Sequence, residues 1–146
     1  MSKEFEQTYN TTLSYLVSIL KTDIYSNFSG NISNIKYAEW KGTKREVQYT
    51  VIFPLKTSNV TETQEIIRVS VDHYILKCVQ IYERFPFNNT LFINIIKNGD
   101  TTTKIKIKYI LNWTTKCIQT PWKMLINSNI DNVYENFNSI ISLFIG

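Results

Sequence analysis

Two spacings of apolar residues divide the chain. Between residues 3 and 24, Phe5, Tyr9, Leu13, Leu16, Leu20 and Ile24 recur three and four apart, the period of an amphipathic helix. Ser2 stands where an N-cap is favoured, Glu4 and Glu6 where the helix dipole favours acid, and Lys21 where it favours base. Residues 32 to 54 change to a period of two. "ISNIKYAEW" and "EVQYTVIFP" alternate, Val47, Tyr49, Val51 and Phe53 share a face, "KGTK" supplies a turn and Pro54 ends the second strand. "KTSNVTET" reads as a polar loop with room for a short strand. Residues 65 to 84 return to a helical stripe of Ile67, Val71, Ile75, Cys78 and Tyr82, although the β-branched run "EIIRVSV" also suits the start of a strand. Pro86 disfavours helix at Phe85.

Residues 90 to 97 and 101 to 111 form the clearest element, a hairpin around Asn98-Gly99. Residues 112 to 127, with Trp113, Pro121 and Trp122, suggest a packed irregular stretch. A last helix over about 129 to 144 opens on the capping-box-like pair Ser128 and Asp131 and carries the stripe Ile130, Val133, Phe137, Ile140 and Phe144. The resulting order α-β-β-α-β-β-α predicts an α+β fold: a single two-layer domain over residues 1 to 146, an antiparallel sheet of two hairpins packed with three helices. This order resembles that of type III secretion chaperones and related small α+β sandwich proteins. It is a resemblance of order alone, so it implies no residue role.

In the segment "TTTKIKIKYIL", Lys104, Lys106 and Lys108 leave one side of a strand and Ile105 and Ile107 the other. A two-residue turn at Asn98-Gly99 pairs Ile93 with Lys104 and Leu91 with Lys106, which sets the lysines beside Leu91, Ile93 and Ile95 and sends Phe92, Ile96, Ile105 and Ile107 to the core. A bulged turn would shift this register by one residue. Three readings follow. The lysines guard a sheet edge against strand addition. Alternatively, Leu91, Ile93, Ile95, Lys104, Lys106 and Lys108 form a protein-interaction surface, as in a homodimer or an assembly subunit. In the third, the face meets nucleic-acid phosphate.

Charge bears on the third reading. Residues 97 to 123 hold six lysines and one acid, for +5; the remaining ten basic and eleven acidic residues sum to −1. Lys104, Lys106, Lys108, Lys116 and Lys123 would then contact a nucleic acid or an acidic partner, with Tyr109, Trp113 and Trp122 stacking on bases. Lys41, Lys44 and Arg45, beside Trp40, form a second basic spot on a hairpin turn. Large aromatics are also ordinary core residues.

Catalytic sets are missing. His73, the single histidine, falls on the solvent side of the second helix, and Cys78 lies about 140° further around it. Cys78 and Cys117, with one histidine and no C-x-x-C, make no zinc site from Cys and His alone, and they read as buried free thiols. No phosphate-binding loop, dinucleotide fingerprint or nucleophile elbow occurs. The expectation is a non-enzymatic protein with no metal and no cofactor.

Composition adds little. The 146 residues are 43% hydrophobic and 14% aromatic, as in globular proteins. The 21 Ile and 15 Asn against one Ala, Ala38, are the residues of AT-rich codons and point to a low-GC host or its viruses and plasmids. The acidic start "MSKEFEQTYN" lacks the form of a signal peptide, and no apolar run has the length of a membrane span, which predicts a cytoplasmic protein. Six N-x-S/T sequons, at Asn10, Asn27, Asn31, Asn59, Asn88 and Asn112, support an alternative: an extracellular surface or filament subunit with N-glycans and a Cys78–Cys117 disulfide. The leading expectation is a small protein-protein interaction module, with nucleic-acid binding as the alternative.

Overall fold

Period-two alternation governs far more of the chain than its apolar spacing suggests. The computed structural model describes residues 2–28, 30–54 and 56–146. Among them, seven strands form one antiparallel sheet: β1 Ser2–Tyr9, β2 Ile32–Tyr37, β3 Lys44–Phe53, β4 Lys56–Ser70, β5 His73–Tyr82, β6 Phe87–Lys97 and β7 Thr103–Trp113. Two α-helices accompany them, α1 Leu13–Leu20 and α2 Gln119–Ile145, with a 3-10 turn at Ile24–Asn27 after α1. The strand order is β1-β7-β6-β5-β4-β3-β2, so β3 to β7 follow one another as hairpins and β1 crosses to the far edge.

This corrects the expected fold. Two helices, not three, pack on a seven-stranded sheet, not on two hairpins. Residues 2 to 9 are a strand because their apolar members, Phe5 and Tyr9, lie four apart, a spacing that suits a strand face as well as a helix stripe. Pairing with β7 along the whole of β1 decides between them. The expected second helix is the end of β4 and all of β5, and the polar "KTSNVTET" is the first half of β4. The last helix begins at Gln119, about ten residues before the expected start, and takes Pro121 into its first turn, where no backbone N–H is needed. Ser128 and Asp131 therefore lie inside α2 and cap nothing.

One face of the sheet is buried. β6 and β7 alternate without interruption, placing Leu91, Ile93, Ile95, Ile105, Ile107, Tyr109 and Leu111 inside. α1 contributes Leu16, Ile19 and Leu20, and α2 contributes Ile126, Ile130, Phe137, Ile140 and Ile141. α2, 27 residues and so about 40 Å long, lies over this inner face. One end of the interlayer space is closed by rings: Phe85 stacks on Phe53 and Tyr82, and Trp122 meets Phe85 and Phe87.

The β6–β7 register differs from the expected one. Lys97 pairs with Thr103, Ile95 with Ile105 and Ile93 with Ile107, so the loop holds five residues, 98 to 102, and Asn98 N–H bonds back to Thr102. The change is odd-numbered, and it moves the lysines to the opposite face. Lys104, Lys106 and Lys108 stand beside Ile96, Asn94 and Phe92 on the outer face, whereas Leu91, Ile93 and Ile95 are 2%, 0% and 0% exposed.

Candidate functional site

Strand β4 turns polar residues inward. Ser58, Glu62 and Gln64 share its inner face with Val60, and Glu62 is fully buried. A carboxylate in such a place needs several hydrogen bonds. Glu62 receives them from four side chains on four elements. Tyr25 of the 3-10 turn donates at 2.7 Å to Oε2, Tyr49 of β3 at 2.8 Å to Oε1, Gln80 of β5 at 2.8 Å to Oε1, and Gln64, two residues along β4, to Oε2. The network continues in both directions. Arg45 of β3 donates through Nε to Gln64 at 2.7 Å, with its other nitrogens on Asp23 and the Thr22 carbonyl and its face against Tyr37 and Trp40. On the other side Gln80 Oε1 accepts from Tyr82 and from Asn89 of β6.

Burial and the Glu62 charge push the phenols of Tyr25 and Tyr49 well above their usual range, and the same two causes raise the Cys78 thiol. Burial likewise raises Tyr82, Tyr109 and Tyr134. At neutral pH all five phenols are protonated donors.

These groups surround a cavity between the sheet and α2. Tyr25, Tyr49, Gln80, Tyr82, Leu91 and Tyr109 form its floor and walls; Asn129, Ile130, Val133 and Tyr134 of α2 form its roof. Its free volume is about 20 Å³, enough for one water molecule and far below the roughly 300–1,000 Å³ of small-molecule pockets. Large rings fill the rest: Tyr25, Phe28, Tyr49 and Phe137 pack edge to face.

Asn129 borders the cavity and also an outer cleft of about 670 Å³ formed by Gly30, Asn31, Ile52, Phe53, Pro54, Leu125 and Asn132. The wall between them is a pair of amides, with Asn31 Nδ2 donating to Asn129 Oδ1 at 2.9 Å. Beside it, Gly30 has φ +117°, and a Cβ there would fall 2.7 Å from Asn132 Nδ2, so only glycine lets the loop sit this close to α2.

The residues singled out from the sequence are scattered. Leu91 lines the cavity floor, and Ile93 and Ile95 continue the same buried face. Lys104, Lys106 and Lys108 face β1, opposite Thr8, Glu6 and Glu4, and Lys104 Nζ lies 3.0 Å from Glu6, whose carboxyl it holds below the usual range. β7 is an interior strand, so its lysines guard no edge. Arg45 is buried, Lys44 lies 3.7 Å from Glu65, and Lys41, Lys116 and Lys123 are exposed on separate elements. Trp113 and Trp122 pack on Phe87, and Tyr109 is buried, which leaves none of the three to stack on bases. His73 is half-buried at the start of β5 on the outer face, with Nε2 2.8 Å from Asn94 Oδ1. Cys78 is buried and free; Cys117 is free but exposed, against expectation. Among the described residues, no cluster of His, Cys, Asp or Glu is placed to hold a metal, and no helix is long and apolar enough to cross a membrane.

No protein-family model matches the chain, and no curated protein sequence does. Solved structures do match over nearly its whole length. The ZhuI aromatase/cyclase from Streptomyces sp. R1128 superposes with a TM-score of 0.75 at 8% identity, covering 97% of this chain and 92% of that one. A START superfamily protein from Mycobacterium smegmatis gives 0.63 at 8% identity, covering 97% and 98%. Norcoclaurine synthase from Thalictrum flavum, solved with dopamine and hydroxybenzaldehyde, gives 0.65 at 10% identity, covering 97% and 86%. The chain has a START/Bet v1-like fold.

That fold overturns the functional expectation. The aliphatic stripe read as a contact surface lies beneath α2 as core, and the lysines read as phosphate contacts face a glutamate-bearing strand. A simple interaction module, a homodimer, a viral or mobile-element protein, a nucleic-acid binder and a surface or filament subunit all lose their support.

Proposed function

We propose that this protein binds a small, largely apolar molecule between the inner face of the sheet and α2. The observation that carries the reading is the buried Glu62 network lying beneath a helix-roofed, tyrosine-lined cavity. A polar cluster in a core is costly, and an apolar filling of the same space would be at least as stable. Retaining the cluster makes sense if it fixes the shape and polarity of a site. The resting cavity is too small for a ligand, so binding requires α2 to move away from the Asn31–Asn129 contact and open the cavity to the outer cleft. The site holds its ligand without converting it. The Glu62 oxygens are saturated by donors, the phenols stay protonated, and His73 lies on the other side of the sheet.

Titration with Nile red, an uncharged apolar dye, tests the reading. One saturable site is expected in the natural protein, lost when Val133→Trp fills the cavity. Absence of binding, or binding that Val133→Trp leaves unchanged, rejects it.

A further inference from the structure

The orientation of every amide in the buried network is dictated by its neighbour. Arg45 has only donors, so Gln64 turns its oxygen to Arg45 and its nitrogen to Glu62. Glu62 accepts from the Gln80 nitrogen, so the Gln80 oxygen points towards β6. That oxygen accepts from the Tyr82 hydroxyl and from Asn89 Nδ2, each at 3.3 Å, and Asn89 Nδ2 also donates to the Tyr82 oxygen. Turning Asn89 over would set two oxygens against each other. Polarity therefore runs from Arg45 to one last atom, Asn89 Oδ1.

Asn89 is 2% exposed, and its Oδ1 has no hydrogen-bond donor among the described residues. An acceptor buried in this way is uncommon and destabilising. It lies among cavity-lining residues: Gln80 is its cross-strand partner, Tyr82 is hydrogen-bonded to it, and Leu91 is next along its face of β6.

We infer that Asn89 Oδ1 determines what the site accepts: it takes a hydrogen bond from the hydroxyl of an otherwise apolar, uncharged molecule, an alcohol or a phenol. The inference rests on the binding site proposed above. Asn89 does not itself border the free volume of the resting cavity, so a ligand hydroxyl reaches its acceptor when α2 lifts and the ligand enters beside Gln80, Tyr82 and Leu91. An ether of the same shape brings no donor. A carboxylate brings acceptors and a second negative charge to a network already built around Glu62.

Displacement of Nile red by 2-naphthol, 2-methoxynaphthalene and 2-naphthoate tests it. In the natural protein 2-naphthol should bind about tenfold more tightly than its methyl ether, the worth of one buried hydrogen bond, and the naphthoate should not compete. In Asn89→Leu the naphthol and the ether should become equal while Nile red, which has no donor, still binds. Asn89→Ser supplies a hydroxyl that can donate towards Gln80 and accept from a ligand, and should keep the order naphthol over ether, which covers a leucine variant that fails to fold. Equal affinities in the natural protein with Nile red still bound overturn the inference and spare the binding site. A naphthol preference that survives Asn89→Leu, or vanishes in a folded Asn89→Ser, also overturns it. Failure of Nile red to bind the natural protein removes both.

Discussion

The buried guanidinium of Arg45 reaches the buried carboxylate of Glu62 through Gln64, which accepts from one and donates to the other. A cation and an anion in one core are thus joined through a neutral amide. Arg45 is closed off from solvent by Tyr37, Trp40 and Asp23, and Glu62 by two tyrosines and Gln80.

Glu62→Ala removes the acceptor shared by four buried donors. The expected loss is about 3–5 kcal/mol of folding stability, as for other broken buried charged networks. Glu62→Gln keeps the shape but turns an NH₂ group towards one of the donors, and it should recover only part of that loss. Urea midpoints for the three proteins measure the order.

The raised phenols predict alkaline unfolding. Tyr25, Tyr49, Tyr82, Tyr109 and Tyr134 hold their protons more tightly when folded than at the ordinary value of 10.0, and Tyr9 is pushed up to about 12. Above pH 10 the unfolded chain releases these protons and the folded chain keeps them. Stability should be level from neutral pH to about 9, then fall by up to roughly 1.4 kcal/mol per pH unit for each such phenol. Urea midpoints between pH 7 and 11 check the sign; a rise above pH 10 would contradict it.

Much of the fold was legible in alternation, and the misread segments share a cause. β3, β6 and β7 carry apolar residues on the buried face, so period two is visible. β4 carries Ser58, Glu62 and Gln64 there, and inward polar residues look like a loop. In β5, Cys78 and Tyr82 lie four apart, which satisfies both periods. The site was hidden for the same reason, because its polar residues sit on four different strands and a 3-10 turn and meet only in space. One clue stood in the sequence: Thr57, Thr61 and Thr63 alternate with Ser58, Val60 and Glu62, a β-branched pattern better suited to a strand than to a loop.

Asn31 and Asn129 should control access. Removing either side chain, in Asn31→Ala or Asn129→Ala, deletes one hydrogen bond, worth about 1 kcal/mol, between the cavity and the outer cleft. Association of Nile red, followed by stopped flow, should quicken about fivefold in either variant. An unchanged rate would place the route elsewhere.

The two thiols should differ sharply. Cys117 is exposed and should react with a thiol reagent in the native protein at about the rate of a small free thiol. Cys78 is buried with a raised thiol and should react only as the protein unfolds, which separates into two phases in a native time course.

α2 is fastened in unlike ways along its length. Near its start Trp122 is clamped against Phe85 and Phe87, and further along Phe137 is clamped against Tyr25 and Phe28. The turns between them meet the facing loop through amides, Asn129 on Asn31 and Asn132 over Gly30. Water can substitute for an amide contact, but it cannot substitute for packed rings. The roof should therefore bow between Trp122 and Phe137 like a beam held at two supports, and those supports should exchange amide hydrogens no faster when a ligand is inside.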